Sequence, residues 1–222
     1  IAPDSSEETL SQLALDCDGI LTCWGNITSK VIAAAGSRCK VVSRMGIGLD
    51  NIDVNYCTSH NIPVTNVPDY CLQEVAEHTI ASIFALGRHL NLYNLESKAG
   101  RYEREVSPPL RRMQGQTVGI IGLGNIGTRV AKLANALEFR VLGFRQNMTK
   151  AVEGVELTPL NELLTKSDFV TLHLPLTENN QHMLGAIQFQ QMKSTAYLIN
   201  TARGGLVDHR ALATALQSGE IA

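Results

Sequence analysis

The chain has 222 residues, with 19 Lys and Arg against 21 Asp and Glu, a formal net charge of -2, and it is 44% hydrophobic and 18% charged. That balance excludes a disordered chain, and with acids outnumbering bases it excludes nucleic acid held by bulk electrostatics. No run of about 18 apolar residues occurs, so a membrane-spanning helix is excluded, and the start lacks the basic-then-apolar pattern of a secretory leader.

The first stretch alternates helix and strand signals. Ser5-Ser6-Glu7-Glu8 predicts a capping box opening a helix through Leu15. Gly19 to Cys23 has strand length, Thr28 to Ala35 predicts a helix closed by Gly36, and Lys40 to Ser43 is β-branched and strand-like. A loop, Arg44 to Asp53, leads into a short helix ending near His60 and a strand, Ile62 to Asn66. Residues 73–92 carry Ala76, Ile80, Ile83, Phe84, Leu86, Gly87 and Leu90 at three- and four-residue steps, which predicts one long helix with a broad buried face. Residues 94–114, charged and holding Pro108-Pro109, read as an arm or linker.

A second alternating run follows. Thr117 to Ile121 predicts a strand, Ile126 to Leu137 an amphipathic helix, and Arg140 to Phe144 the next strand. Pro159 stands where a first-turn proline would follow a Thr158 cap. Asp168 to His173 and Thr195 to Asn200 predict strands, and Asp208 caps a helix ending at Ser218-Gly219. Strands separated by helices imply right-handed parallel crossovers, hence an α/β fold. The boundaries expected are a first domain at 1–72 and a second at 73–222, the second opening with a helix and arm at 73–114.

The five cysteines (17, 23, 39, 57 and 71) are odd in number and contain no CxxC pair. They read as reduced, buried thiols and point to the cytoplasm, not to disulfides or a metal site.

Gly122-Leu123-Gly124-Asn125-Ile126-Gly127 matches G-x-G-x-x-G. Alone the pattern is weak, but here it directly follows an apolar strand and opens an amphipathic helix. Gly122 permits the tight turn, Gly124 lets a pyrophosphate approach the backbone, and Gly127 lets the helix pack on the strand. The helix start then offers unpaired N–H donors and a partial positive charge to phosphates. About twenty residues on, where NAD-binding proteins carry an acid for the ribose hydroxyls, stands Arg145. A guanidinium there suits the 2′-phosphate of NADP. The other reading, a surface arginine in an enzyme that takes NAD, stays open beside it.

Three further segments, with the glycine loop and Leu172-His173-Leu174-Pro175-Leu176-Thr177, carry a specific likeness. They are Met45-Gly46-Ile47-Gly48-Leu49-Asp50-Asn51-Ile52-Asp53, Asn66-Val67-Pro68-Asp69-Tyr70 with Glu74-Val75-Ala76-Glu77-His78, and Ile199-Asn200-Thr201-Ala202-Arg203-Gly204-Gly205-Leu206-Val207-Asp208. In order and spacing these motifs closely resemble the D-isomer-specific 2-hydroxyacid dehydrogenases, over nearly the whole chain. The resemblance implies two doubly wound parallel-sheet domains, a flavodoxin-like substrate domain and a Rossmann cofactor domain. It implies hydride transfer between NAD or NADP and a 2-keto or D-2-hydroxy acid. It also implies that backbone N–H groups of Gly46, Ile47 and Gly48 hold the substrate carboxylate and that Arg203 binds that carboxylate and the keto oxygen. Asn125 and Ile126 are expected to touch the pyrophosphate, and Leu174, Pro175, Thr201 and Ala202 to line the cofactor. The helix from about Glu74 is expected in a homodimer interface.

An arginine fork grips a carboxylate at two points and polarises the neighbouring carbonyl, which lysine does not do. Asp208 reads as a helix cap and His173 as a wall of the site. His78 reads as packed or interfacial, and Trp24 as a core or rim aromatic. The family's proton donor is a His after Pro, tuned by a Glu in a segment like L-D-V-x-x-x-E-P. None of the six histidines (60, 78, 89, 173, 182, 209) follows a proline. The likeness therefore implies further sequence at both ends and poor turnover by these residues alone, since loss of general acid catalysis costs ~10²–10⁴ in rate. A dinucleotide-sensing corepressor of the same family is the alternative, to which Arg104-Glu105-Val106 and Arg111-Arg112 bear a short likeness.

Overall fold

The computed structural model describes residues 2–102 and 108–222, which fall into two units, Ile1–Tyr70 and Cys71–Ala222.

In the first unit, helix α1 (Glu7–Ala14) starts where the Ser6 hydroxyl accepts the Thr9 N–H at 3.3 Å. The cap is therefore Ser6 and not Ser5, so the expected box with Glu8 does not form. Helix α2 (Ser29–Ala34) is capped by Thr28 and helix α3 (Val54–Ser59) by Asp53, which accepts the Tyr56 N–H at 2.9 Å. Strands β1 (Ile20–Thr22), β2 (Val42–Arg44) and β3 (Val64–Thr65) pair in parallel in that order, with Ile20, Val42 and Val64 in one row. Val31, Ile32, Val42 and Cys57 form the centre of this unit's core. Among the described residues the order of this sheet does not reverse.

In the second unit, helix α4 (Leu72–Gly87) ends two residues before His89, which takes a left-handed conformation (φ +51°) and starts helix α5 (Leu90–Lys98). The single long helix expected over 73–92 is thus two, and the stretch read as a linker begins as helix. A five-stranded parallel sheet follows, from β4 (Thr117–Ile121), β5 (Arg140–Phe144), β6 (Glu156–Leu157), β7 (Phe169–Leu172) and β8 (Tyr197–Asn200), in the order β6-β5-β4-β7-β8. The helices are α6 (Asn125–Ala136), α7 (Leu160–Lys166), α8 (Ala186–Gln191) and α9 (His209–Ser218). Pro159 is itself the cap residue of α7, so the helix starts one position later than expected, and the Thr158 hydroxyl donates to the Glu156 carbonyl instead.

The period of two along each strand divides the core. Val118, Ile120 and Phe169 face Ala76 and Ile83 of α4 and Val130 and Ala134 of α6. Ile121, Val170 and Leu172 face Leu163 and Leu164 of α7, Phe189 of α8 and Ala215 of α9. Every residue of β4 is buried, as a central parallel strand covered on both faces requires. Chain order reverses at β4, between neighbours β5 and β7, so the carboxyl ends of β4 and β7 flank a crevice where α/β sheets bind ligands.

Candidate functional site

The glycine motif sits at that reversal. Gly122 follows β4 at φ +101°, a conformation glycine reaches without strain, and a Cβ there would lie 2.4 Å from the His173 carbonyl oxygen. A Cβ on Gly127 would lie 1.9 Å from the Gly122 carbonyl oxygen, so only glycine lets α6 begin this close to the turn. Gly124 differs: nothing lies within 4 Å of its Cβ position, and as cap residue of α6 it has no side chain to engage the first N–H groups. The start of a three-turn helix thus faces open space with unsatisfied donors and the positive end of its dipole. That cradle fits the pyrophosphate of a dinucleotide, with Asn125 and Ile126 in the first turn.

Register brings the other predicted cofactor residues to the same edge. Ile121 lies beside Phe144 and beside Leu172, and Leu172 beside Asn200. The next residue on each strand, Gly122, Arg145, His173 and Thr201, therefore leaves the sheet at a common level. The Gly122 N–H donates to the Phe144 carbonyl at 2.9 Å and the His173 N–H to that of Ile121 at 2.8 Å. Leu174 packs against the turn, its Cδ2 2.8 Å from where a Gly122 Cβ would be, and Pro175 follows exposed. Arg145 is half-buried and has no carboxylate partner among the described residues.

His173 is held neutral. Burial pushes its pKa down to about 4, and its Nε2 lies 3.0 Å from the Thr171 hydroxyl. It serves as a wall, and at neutral pH it has no ring proton of imidazolium type to give. The β8 end is fastened through Thr79, buried in α4. The Thr79 hydroxyl donates to the Val75 carbonyl at 2.9 Å and so accepts from the Thr201 hydroxyl at 3.2 Å. Thr201 and Asn200 line a cavity of about 400 Å³ with Glu74, Val75 and His78. His78, expected to be packed or interfacial, is exposed and borders it.

Arg203 lies beyond Thr201 and Ala202 on the same loop. Asn200 shapes that loop, its amide donating to the Arg203 carbonyl at 2.8 Å and accepting the Ala202 N–H at 3.0 Å. The Arg203 guanidinium donates to the Ala202 carbonyl at 2.9 Å, and the residue borders a different cavity of about 400 Å³, shared with Leu198, Asn200 and Val207. Asn200 is common to both cavities. Asp208, as expected, caps α9, accepting the N–H groups of Ala211 and Arg210, and these bonds hold its carboxyl below the usual range.

In the first unit, Gly46, Ile47 and Gly48 form the loop after β2. Their carbonyls are all engaged, by the Val67 N–H at 3.0 Å, the Asn66 amide at 2.8 Å and Arg44 Nε at 3.2 Å. Their three N–H groups have no acceptor among the described residues. Arg44, which sequence reading passed over as the start of a loop, runs beneath them. It is 7% exposed, its Nη2 lies 3.3 Å from a Gly46 Cβ position, and its Nη1 has no hydrogen-bond partner among the described residues. Its one other neighbour of note is the ring of Trp24, 5.3 Å away. Trp24 is 82% exposed, a rim aromatic and not a core one. The strand alternation that buries Val42 was the available signal, since it puts Arg44 on the same inward face. Among the described residues no cluster of three metal-ligating side chains occurs, and the described cysteines are all free thiols.

A parallel sheet that reverses at a glycine turn, with a helix start open to solvent, defines a dinucleotide-binding domain. Comparison with known proteins agrees. The sequence profile described as "D-isomer specific 2-hydroxyacid dehydrogenase, NAD binding domain" matches residues 80–222. D-3-phosphoglycerate dehydrogenase of Methanocaldococcus jannaschii is 36% identical over 225 residues, covering 100% of this chain and 43% of that protein. D-lactate dehydrogenase from Aquifex aeolicus, solved with NAD and lactic acid, superposes with a TM-score of 0.89 at 32% identity over 95% of this chain and 64% of that one. An acyclic imino acid reductase solved with NADPH and D-Arg gives 0.89 and 32%, over 97% of this chain and 70% of that one. The chain belongs to the D-isomer-specific 2-hydroxyacid dehydrogenase family. It spans less than half the length of the phosphoglycerate dehydrogenase it matches.

Proposed function

We propose that the protein transfers hydride between NAD(P)H and a small 2-keto acid, using the second unit for the dinucleotide and the first for the acid. The observation that carries this reading is the shared sheet edge: the glycine cradle, Arg145 and the Arg203 loop all leave the sheet at one level. The dinucleotide, when bound, supplies hydride to the carbonyl carbon. Gly124, Asn125 and Ile126 offer N–H groups to its phosphates, Arg145 pairs with the 2′-phosphate and so favours NADP, and Leu174, Pro175, Thr201 and Ala202 pack along it. The N–H groups of Gly46, Ile47 and Gly48 donate to the substrate carboxylate, with Arg44 supplying the charge behind them. Arg203 grips a substrate carboxylate and draws electron density toward the keto oxygen as negative charge develops there.

The test is binding followed by turnover. NADPH and NADH are titrated by nicotinamide fluorescence, then oxamate, the unreactive isostere of pyruvate, is added. Loss of absorbance at 340 nm is followed with glyoxylate, hydroxypyruvate and pyruvate. Cofactor-dependent binding of oxamate that Arg203→Ala abolishes supports the reading. Absence of any dinucleotide binding overturns it. The corepressor alternative gains nothing further: Arg104-Glu105-Val106 lies outside the described residues.

We also infer a homodimer built on α4 and α5. Helix α5 buries none of its residues in this chain, and Leu90 and Leu95 are exposed on it. Light scattering should give twice the chain mass, and Leu95→Asp should return it to one; a wild-type monomer at high concentration removes the proposal. Free thiols support a reducing compartment, the cytoplasm.

A further inference from the structure

Outside the site described above, the first unit holds a second grouping of reactive side chains. Cys17 follows α1, its N–H donating to the Ala14 carbonyl at 3.1 Å, and Cys39 lies just before β2. The two segments are fastened to each other beside both thiols. The Lys40 N–H donates to the Asp18 carbonyl at 2.9 Å. The Arg38 guanidinium clasps the Asp18 carboxylate, with Nη2 at 2.9 Å and Nε at 3.4 Å. Each cysteine thus sits one peptide from a residue that is bonded across the junction. Cys17 lies near enough to act electrostatically on the Cys39 thiol, and a disulfide between them needs a Cα separation of about 4.4–6.8 Å. Both side chains enter the same apolar cluster, Cys39 as a buried member and Cys17 packed against it from the half-exposed side.

We propose that Cys17 and Cys39 form a dithiol site, which a hydroperoxide closes into an intramolecular disulfide and which a trivalent arsenical bridges. The two thiols have separate roles. Cys17 is the one solvent reaches. Cys39 is buried with its Sγ 3.8 Å from the Val41 carbonyl, and burial, with the neighbouring Cys17, pushes its thiol up so that it stays protonated until the first step is done. In that step the Cys17 thiolate attacks a peroxide oxygen, the O–O bond breaks, and Cys17 becomes a sulfenic acid while hydroxide or alkoxide departs. The Cys39 sulfur then attacks the Cys17 sulfur, the S–O bond breaks, and water leaves with the Cys39 proton. Overall, two thiols and one hydroperoxide give a disulfide, water and an alcohol (a second water for hydrogen peroxide). Cys57, fully buried on α3, is the competing partner for Cys39. It lacks solvent access for the first attack.

The experiment uses the purified chain with Cys17→Ser, Cys39→Ala and Cys57→Ser variants, treated with about one equivalent of hydrogen peroxide and digested without reductant for mass spectrometry. The expected product is a peptide pair linked through Cys17 and Cys39, in wild type and in C57S alike. Dimedone should trap a sulfenic acid at Cys17 in C39A. Phenylarsine oxide should bind wild type one to one, and at least tenfold more weakly in C17S, whose half-exposed position makes it safe for folding. A Cys39–Cys57 link, a link only between chains, or oxidation of Cys17 with no link at all would overturn the proposal, as would arsenical binding that C17S leaves unchanged.

Discussion

On the proposed function, the two cradles at the carboxyl ends of β4 and β2 would each hold an anion, and they are built by opposite means. The one after β4 contains no cation of its own. It uses a helix start, three glycines and backbone crowding, with a Gly127 Cβ position 1.9 Å from a carbonyl oxygen. The one after β2 has no helix. It leaves three N–H groups without an acceptor among the described residues and buries a guanidinium beneath them. The first is built from steric necessity, so damage to it should appear as lost stability and lost binding together. The second stores an uncompensated charge, so relieving it should separate the two.

The largest effect is expected from Gly127→Ala. Its methyl meets the Gly122 carbonyl, which is backbone, and no rotamer relieves it, so the cost should be about 3 kcal/mol or more. Melting should fall by about 6–12 °C, with dinucleotide binding lost. Gly124→Ala is the control within the same motif. Its Cβ position is open, so melting should hold while the methyl occupies the approach of the pyrophosphate and weakens binding about tenfold or more. Equal losses of stability from both variants would erase the distinction between turn and docking surface.

His173, which walls this first cradle, gives the next effect. Its pKa in the folded protein, about 4, lies below the ordinary 6.5. Between those values the unfolded chain binds more protons, so stability rises with pH. The contribution is fully present above pH 6.5, is lost progressively down to about pH 4, and amounts to about 3 kcal/mol at most. Urea midpoints measured from pH 7 to pH 4 should fall in wild type, and His173→Gln should flatten that part of the slope. An unchanged slope in the variant would show that the ring is not buried as described.

Arg145 sharpens the comparison at its cofactor end. A charge-assisted pair with a 2′-phosphate contributes about 1.5–3 kcal/mol, so Arg145→Asp should move the NADPH to NADH affinity ratio toward NADH by roughly ten- to a hundredfold. Tighter binding of NADH than NADPH by wild type would return Arg145 to the surface role left open in the sequence reading.

The same contrast explains what could be read in advance. The β4–α6 turn was legible because its causes are local: glycine positions, an apolar strand before them and an amphipathic helix after them. The motif carrying Arg203 was legible by resemblance, and its place on the edge follows from register. Arg44 was not legible as a binding group, because burial and the lack of a partner arise only when β2 pairs on both sides. The break at His89 follows Gly87 closely, but that glycine falls within a continuous apolar period, which hid it. Strand β6 has two residues and helix α8 six, too short for a period of either kind to emerge. Thr201, which lines a cavity, is held by a hydrogen bond to Thr79, too far away in sequence for any local pattern to reveal.

Arg44 provides the finest test. A buried guanidinium with one unpartnered nitrogen and no carboxylate ion pair among the described residues is destabilising in the free protein, since the one hydrogen bond to the Gly48 carbonyl replaces only part of the hydration that burial removes. Arg44→Met keeps the aliphatic stem against Gly46 and removes the charge. Melting should then stay level or rise slightly, by about 1 kcal/mol or less in stability. Oxamate affinity should drop about tenfold, as for a lost charge-assisted bond, while NADPH affinity stays put. A fall in melting with unchanged oxamate binding would mean that Arg44 pairs internally in solution, and the cradle after β2 would then rest on its backbone alone, like the one after β4.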